Sequence, residues 1–135
     1  MQMRRDQLSL AVLSALAVIL IALGLYVVGS PSDARAARRD GDRVDNLNQI
    51  ATCLQALPKA EFEALPQGEG DAVLCQGTRH LRDPVTDKPY RQTRLPDMGF
   101  KVCADLETSH PPVIGYLRDQ FDPDSGCLTS RWNTN

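Results

Sequence analysis

The strongest pattern in the chain is an unbroken run of uncharged and mostly apolar residues from Leu8 to Val28. An α-helix rises about 1.5 Å per residue, so a run of this length covers the roughly 30 Å hydrocarbon core of a bilayer. The pattern therefore predicts a transmembrane helix over residues 8–28, preceded by a short tail of residues 1–7.

A cleaved signal peptide would give a similar pattern. However, the apolar core of a signal peptide usually spans about 7 to 15 residues. The first Ala-x-Ala site beyond the end of the apolar run is Ala34 to Ala36. We therefore interpret residues 8–28 as an uncleaved signal anchor.

The pattern changes twice after the span. Residues 29–43 are mostly charged, polar or alanine, which predicts an exposed stalk or linker in which Ser32 or Asp33 caps a new helix. From Val44 onwards, apolar residues recur at spacings of three and four, which is typical of an amphipathic helix, and Pro58 ends it. The apolar positions are Val44, Leu47, Ile50, Ala51, Leu54 and Leu57.

Two alternating segments further on predict an antiparallel β-hairpin. Residues 90–95 and residues 100–106 each alternate with a period of two, and the turn sequence of residues 96–99 separates them. A second turn, rich in Asp and Pro, precedes the first strand over residues 83–90. If the apolar positions of the second strand face the helix, Cys103 points to the opposite face of the sheet.

The remaining elements are shorter. Residues 61–65 predict a helical turn, residues 72–75 an edge strand or a loop, and the segment after Cys127 a last strand with Trp132 packed at its edge. Together the elements predict an α+β fold, in which the amphipathic helix packs on a small antiparallel sheet within one domain of residues 44–135.

Composition narrows the range of functions. The chain has 15 basic and 17 acidic residues and a net charge of −2, so it lacks the basic excess that marks nucleic-acid binding. We therefore exclude nucleic acid as a partner. About 90 residues remain for a core once the span and linker are subtracted, and so small a domain usually needs a covalent or metal staple.

Four cysteines are the candidates for that staple. An even number in a small domain, with no Cys-x-x-Cys pair, is typical of disulfides formed in an oxidising compartment. We favour Cys103 with Cys127, a pair worth roughly 3 kcal/mol by the chain-entropy estimate, and Cys53 with Cys75. Four cysteines allow three connectivities, and the sequence does not exclude the other two.

Two signals disagree about the side of the membrane that carries the domain. Arg4 and Arg5 precede the span whereas four arginines follow it, and this count favours a cytoplasmic C-terminal side. The cysteines favour an oxidising compartment, and aspartates are interspersed among the later arginines. We give the cysteines more weight and expect residues 1–7 inside the cytoplasm and the domain outside it.

Several segments together resemble single-pass bacterial membrane proteins whose outer domains are similar to type II secretion pseudopilins. The resemblance rests on the Asp-Pro-Val-Thr-Asp-Lys-Pro-Tyr turn of residues 83–90, on the strand of residues 100–106 and on Cys127, and it covers residues 43–127. It implies an N-terminal helix laid across a small antiparallel sheet. It also implies a bacterial inner-membrane protein with a periplasmic domain.

The chain departs from that family in three respects. The prepilin cleavage motif, a glycine followed by Phe or Met, and the glutamate at the fifth position of the mature helix are both missing from residues 4–13. Asp87 stands where related turns usually have glycine. The resemblance therefore implies a fold and does not imply processing or assembly into a filament.

The sequence offers no catalytic constellation and only weak metal candidates. His80 and His110 lie in loop-like segments, and Ser109 is merely the chain neighbour of His110. The cysteines and histidines lack the close spacing of a zinc site. Asp122 and Asp124 weakly resemble a calcium loop that lacks its third acidic position and its distant glutamate. We therefore expect no catalytic residue and no cofactor.

These observations favour a non-enzymatic accessory protein that presents a small disulfide-held domain to a membrane or envelope complex. Its expected partners are membrane lipid and a protein. The expected contact surfaces are the linker, the small residues of the span, and the loop of residues 107–121 with Pro111, Pro112 and Tyr116.

The alternative is a ligand-binding or metal-binding sensor domain on a membrane anchor, with calcium or zinc as the ion. Its site would be formed by residues 66–80 and 107–126. A thiol oxidoreductase is the least favoured function, because the cysteines are 22, 28 and 24 positions apart and redox motifs place them close together.

Overall fold

The computed structural model describes residues 2–28, 30–70, 74–113 and 115–132 of the chain. These residues fall into two units, Met1–Arg35 and Ala36–Asn135. Each unit has its own architecture.

The first unit consists mainly of helix α1, Gln2–Val28. The large apolar side chains from Leu8 to Val27 are between 51% and 87% exposed, and Ser14 satisfies its hydroxyl by donating to the carbonyl oxygen of Ala11 at 2.9 Å. So large an uncovered apolar surface is unfavourable in water. Helix α1 is long and apolar enough to cross a membrane, as the sequence predicts for residues 8–28.

The second helix, α2, spans Pro31–Gln55 and begins directly after Ser30. The carbonyl oxygen of Ser30 accepts a hydrogen bond from the Asp33 N–H at 3.0 Å, and Ser30 Oγ accepts one from the Ser32 N–H at 3.3 Å. Ser30 therefore caps the helix, which corrects the prediction of Ser32 or Asp33. The physical reason is that proline favours the first helical position, where its missing N–H costs nothing.

The second unit starts earlier in the chain than the sequence pattern predicts. Residues 29–43 are predicted to be an exposed stalk, but the compact unit begins at Ala36. Within it Asp40 and Arg43 are 0% and 3% exposed. Because α2 runs through this segment without interruption, the buried face that carries Val44 continues one turn back onto Asp40.

The core of the second unit joins one face of α2 to one face of the sheet. The short helix α3, Lys59–Glu63, adds Phe62, whose ring meets Phe100 edge-on and stacks on Trp132, each with 6.2 Å between ring centroids. The other fully buried apolar side chains are Val44, Leu47, Ile50 and Leu54 from α2 and Val102 and Leu128 from the sheet.

The sheet confirms the predicted α+β class. Among the described residues it has five antiparallel strands in the spatial order β1-β2-β3-β5-β4. The strands are β1 Gly68–Gly70, β2 Arg91–Arg94, β3 Gly99–Cys103, β4 Phe121–Asp122 and β5 Cys127–Arg131.

The predicted hairpin corresponds to β2 and β3. Their register pairs Arg94 with Phe100, and the Gly99 N–H donates to the carbonyl oxygen of Pro96 at 3.0 Å to close the turn. Asp97 and Met98 have φ of 55° and 60°. Positive φ at both central residues defines a type I′ turn, whose twist suits a hairpin.

The predictions for the shorter elements are correct only in part. The helical turn expected at residues 61–65 lies at Lys59–Glu63. Residues 71–73 lie outside the described residues, and Leu74 and Cys75 belong to no strand. The strand beside β2 is instead Gly68–Gly70, a segment whose glycines give no strand signal in the sequence.

Both favoured disulfide pairs are present. Cys103 and Cys127 face each other in the β3–β5 register, outside the core cluster, as the alternation of the second strand predicts. Cys53 on α2 pairs with Cys75, and both belong to the core cluster or pack against it. The two bonds therefore tie the sheet to itself and α2 to the segment before β2.

Candidate functional site

A cluster of charged side chains on α2 and two loops is the most densely bonded polar site in the described part of the second unit. We call Arg39, Asp40, Arg43, Asp83 and Glu107 the Arg43 cluster. Arg43 lies at its centre and donates to all three carboxylates. The distances are 2.6 Å from Nε to Asp83 Oδ2, 2.7 Å from Nη1 to Asp40 Oδ1 and 2.8 Å from Nη1 to Glu107 Oε1.

Asp40 holds the loop that follows β3. Its two carboxylate oxygens accept hydrogen bonds from the Glu107 N–H at 3.0 and 3.1 Å, from the Thr108 N–H at 2.7 Å and from the Thr108 hydroxyl at 2.7 Å. A buried carboxylate needs such donors because water cannot reach it. Asp40 therefore acts as an anchor for the backbone of residues 107 and 108.

Asp83 links the Arg43 cluster to the turn of residues 83–90. Its Oδ1 accepts from the N–H groups of Val85 and Thr86, each at 2.9 Å, which is the aspartate turn that the Asp-Pro sequence predicts. The same carboxylate accepts two hydrogen bonds from the guanidinium of Arg43, which lies on α2. One residue thus shapes the turn and attaches it to the helix.

Glu107 is shared by two arginines. It accepts from Arg39 Nε at 2.9 Å and forms a second contact with the Arg39 guanidinium, while Arg43 binds the same carboxylate. Arg39 lies one turn before Arg43 on α2, so both reach the same loop. The cluster has two positive and three negative groups, and each is paired within it.

The environment keeps the acidic members of the cluster ionised. Hydrogen bonds from Arg39 and Arg43 lower the pKa of Glu107 to about 2. Burial by itself would raise the pKa of Asp83, but the hydrogen bonds from Arg43 and from two N–H groups hold this pKa well below its ordinary value. Burial would likewise raise the pKa of Asp40, but hydrogen bonds, mainly from the Glu107 N–H and from Thr108, lower it.

This arrangement is suited to holding segments together. Every charge in the cluster is engaged by a protein group, and a catalytic acid or base needs a free lone pair or proton directed at a substrate. The cluster binds α2 to the turn of residues 83–90 and to residues 107–108. We therefore interpret it as a clamp.

The loop of residues 107–121 is held at further points along α2. Pro112 packs over Gly41, where an added Cβ would lie 3.1 Å from the Pro112 ring. Tyr116 is 65% exposed, and its hydroxyl oxygen accepts from Asn48 Nδ2 at 3.3 Å. Pro111, in contrast, is buried. Of the predicted contact residues in this loop, Pro112 and Tyr116 are therefore at the surface.

The two histidines do not form a site with each other. His80 is exposed after a short helical turn, Gln76–Thr78. His110 is exposed in the loop after β3, where its Nδ1 lies 3.0 Å from the Ser109 hydroxyl oxygen. No acidic side chain completes this pair among the described contacts, so the geometry is that of two neighbouring loop residues.

Of the weak calcium candidates, Asp122 is the last residue of β4 and Asp124 lies in the turn between β4 and β5. Asp122 accepts from the Asp124 N–H at 3.1 Å and from the Ser125 hydroxyl at 2.6 Å, and the Ser125 bond is the main cause of a lowered Asp122 pKa. In the part of the chain that the structure describes, no group of three or more His, Cys, Asp or Glu side chains is placed to hold a metal ion.

The sequence analysis missed the Arg43 cluster. One signal for it exists, because the apolar stripe that starts at Val44 and Leu47 extrapolates back by four residues onto Asp40 and Arg43. Charged residues at the next positions of an apolar stripe normally indicate that the buried face of the helix has ended. Only their partners, which lie 40 and 64 positions away for Arg43, identify them as buried.

No protein family, curated protein or solved structure matches this chain. The resemblance to pseudopilin-like domains therefore stays a prediction.

Proposed function

We propose that the chain is a membrane-anchored, non-enzymatic accessory protein of a bacterial inner membrane, whose disulfide-held domain lies in the periplasm and contacts a protein complex there. The observation that carries the proposal is the uncovered apolar surface of α1, in a chain whose second unit has a complete core of its own. Lipid is the natural cover for such a helix.

The two disulfides support the location outside the cytoplasm. All four cysteines are paired, and cytosolic thiols are normally kept reduced. The basic residues after the span favour the opposite orientation when they are simply counted. However, Arg39 and Arg43 belong to the Arg43 cluster, so two of the four are engaged within the folded unit.

The non-enzymatic part of the proposal rests on how the polar groups are used. The acidic residues with the most strongly lowered pKa values, Asp83 and Glu107, are bonded to arginines of the same cluster. Asp83 and Glu107 each line a cleft, but both carboxylates are engaged by Arg43, and ion-pair networks of this kind lower pKa values without any catalytic role.

Labelling of the cysteines tests location and anchorage together. Intact spheroplasts and lysed cells are treated with a membrane-impermeant maleimide before and after reduction, and the mass shift is read on a gel. We expect labelling only after reduction, and in intact spheroplasts as well as in lysates. Free thiols that are shielded by the inner membrane would overturn the location and the disulfide argument together.

Gentle extraction tests the accessory role. The full chain, extracted with a mild detergent, should co-purify with a protein partner, and a surface variant of the predicted contact loop, such as Pro112→Ala, should reduce that recovery. A stable protein without a partner would contradict the proposal. A shift in unfolding temperature with calcium, zinc or a chelator would favour the sensor function instead.

A further inference from the structure

A shallow groove lies on the second unit between α2 and residues 115–120, with a volume of about 270 Å³. Ala51, Leu117 and Leu128 lie beneath it, but they are at most 5% exposed, so the accessible lining of the groove is mainly polar. Its rim is polar and includes two amides and a hydroxyl on α2, with a tyrosine and a further amide on the facing segment. The rim residues are Asn48, Thr52, Gln55, Tyr116 and Gln120.

The groove is uncharged. Among the described residues that line it, none has a formal charge. Three other clefts of the second unit each include charged residues. These are Lys88 and Arg91 in the first cleft, Arg118 in the second, and Glu107 and Asp124 in the third. A charged ligand would lose hydration in the uncharged groove and gain no counter-charge. The chemistry therefore selects a neutral ligand.

The rim has hydrogen-bonding capacity left. Asn48 Nδ2 donates to the Tyr116 hydroxyl oxygen at 3.3 Å, and Gln55 Nε2 donates to the Ser130 hydroxyl oxygen at 2.9 Å. Each amide still has a carbonyl oxygen that can accept, and Tyr116 still has its hydroxyl proton to donate. The exposed Gln120 amide offers both kinds of group.

The groove is also preorganised. Leu117 is buried in the core, which fixes the short helical turn Gly115–Leu117 that carries Tyr116. The backbone of Gln120 is held because its carbonyl oxygen accepts from the Thr129 N–H on β5 at 2.8 Å. A ligand therefore meets walls that need little further ordering, which reduces the entropy lost on binding.

We propose that this groove binds a short neutral saccharide. A sugar ring presents C–H groups on its faces and hydroxyl groups around its edge. The exposed Tyr116 ring suits a C–H face, and the amides of Asn48, Gln55 and Gln120 suit the hydroxyl groups. Tyr116 is an amphipathic side chain that is 65% exposed at the groove, so it is available for such stacking.

The short length of the groove argues against a peptide ligand. Its α2 wall extends from Asn48 to Gln55, about 10 Å along the helix axis. That length accommodates only about three residues of an extended peptide, whereas peptide recognition in grooves normally relies on longer contacts or on an open sheet edge. This inference goes beyond the proposed protein contact and does not depend on it.

The test uses the full chain in phosphocholine nanodiscs, which contain no sugar headgroups. Maltotriose and a β-1,4-linked trimer of N-acetylglucosamine are titrated in, and binding is measured by calorimetry. We expect at least one of them to bind and to shift the side-chain amide NMR signals of Asn48, Gln55 and Gln120. Tyr116→Ala should weaken binding by about tenfold, because it removes the stacking ring.

Two variants serve as controls. Tyr116→Phe keeps the ring and should cause a smaller loss than Tyr116→Ala. Val85→Ala removes an apolar side chain that is 58% exposed outside the groove and should leave binding unchanged. Trp132 fluorescence verifies that each variant is folded, and Gln120→Ala replaces Tyr116→Ala if the latter does not fold.

Three outcomes would overturn the inference. These are no binding of either saccharide, binding that Tyr116→Ala leaves unchanged, and tighter binding of a blocked tri-alanine peptide than of the sugars. If the native chain binds a saccharide but co-purifies with no protein partner, the result would count against the accessory role alone. The two proposals can therefore fail separately.

Discussion

Arg43 and Asp83 lie 40 positions apart in the chain and form a two-point ion pair inside the second unit. Arg43 Nε donates to Asp83 Oδ2 at 2.6 Å, and Arg43 Nη2 donates to Asp83 Oδ1 at 3.3 Å. The same guanidinium binds Asp40 and Glu107. A single side chain therefore joins one helix to two loops.

Replacing Arg43 should destabilise the domain strongly. Arg43→Met leaves the buried carboxylates of Asp40 and Asp83 without their counter-charge, and removing one partner of a buried ion pair typically costs about 3 to 5 kcal/mol. Urea unfolding of the full chain in detergent, followed by the fluorescence of Trp132, measures the loss. Arg38, exposed on the same helix, is the matched control, and Arg38→Met should change stability by less than about 0.5 kcal/mol.

Arg43→Lys separates charge from geometry. A lysine retains the positive charge but cannot donate in a fixed planar fork to several carboxylates. We expect a stability between those of the native chain and Arg43→Met. Native stability in the lysine variant would contradict the importance of the bidentate contact.

Acid should weaken the domain through the same cluster. The folded-state pKa of Glu107 is about 2, against an ordinary value of 4.5, and those of Asp83 and Asp40 are also lowered. A lowered pKa contributes stability that is complete above the ordinary value and is lost as the pH falls through the folded value. Unfolding temperatures should thus be level above about pH 5 and fall from pH 4.5 to pH 2.

Glu107→Gln measures how much the Glu107 carboxylate contributes to the fall of the unfolding temperature in acid. The variant should be less stable at pH 7 and should show a shallower decline in acid, since it has no charge to lose at this position. Glu61, exposed on α3, is the control, and Glu61→Gln should follow the native curve. A native acid profile in Glu107→Gln would contradict the assignment.

Gly126 should tolerate no side chain. Its φ is +65°, and an added Cβ would clash with the backbone carbonyl oxygen of Ala104. The left-handed conformation alone costs an alanine about 1 kcal/mol, and the contact with Ala104 adds to this. We expect Gly126→Ala to lower the free energy of unfolding by about 2 kcal/mol or more, measured by urea unfolding.

Gly115 is the matched control for that substitution. It has no positive φ, and an added Cβ would meet nothing within 4 Å. Gly115→Ala should therefore be neutral, or slightly stabilising because it restricts the unfolded chain. Equal losses at both glycines would show that the clash at Gly126 is not the cause.

Asp87 is a position where glycine should improve the protein. It has a φ of 55° in the turn that its own N–H closes by donating to the Asp83 carbonyl oxygen at 3.0 Å. Glycine adopts this conformation without strain, so Asp87→Gly should raise the unfolding free energy by about 0.5 kcal/mol. The next residue, Lys88, is exposed and has no positive φ, so Lys88→Gly should destabilise the protein. Thermal unfolding of Asp87→Gly and Lys88→Gly measures the contrast.

The predictable features of the chain share a physical property, namely that they are local. The apolar run of residues 8–28 is long enough to span a membrane by its composition alone. The stripe from Val44 and the alternation that places Cys103 on the far face of the sheet follow from the periods of helix and strand. The Pro-Asp-Met-Gly composition of residues 96–99 predicts a turn, but not its type I′ geometry, which places Met98 at a φ of 60°.

The features that only the tertiary structure decided depend on distant partners. Hydrophobic periodicity shows which residues face an apolar neighbour, so it ends at Val44 and misses Asp40 and Arg43 one turn earlier. Burial of a charge is tolerated only where opposite charges and hydrogen-bond donors meet it. For Arg43 those groups lie 40 and 64 positions away. No pattern within the helix encodes them, because they are brought together only when the loops fold onto it.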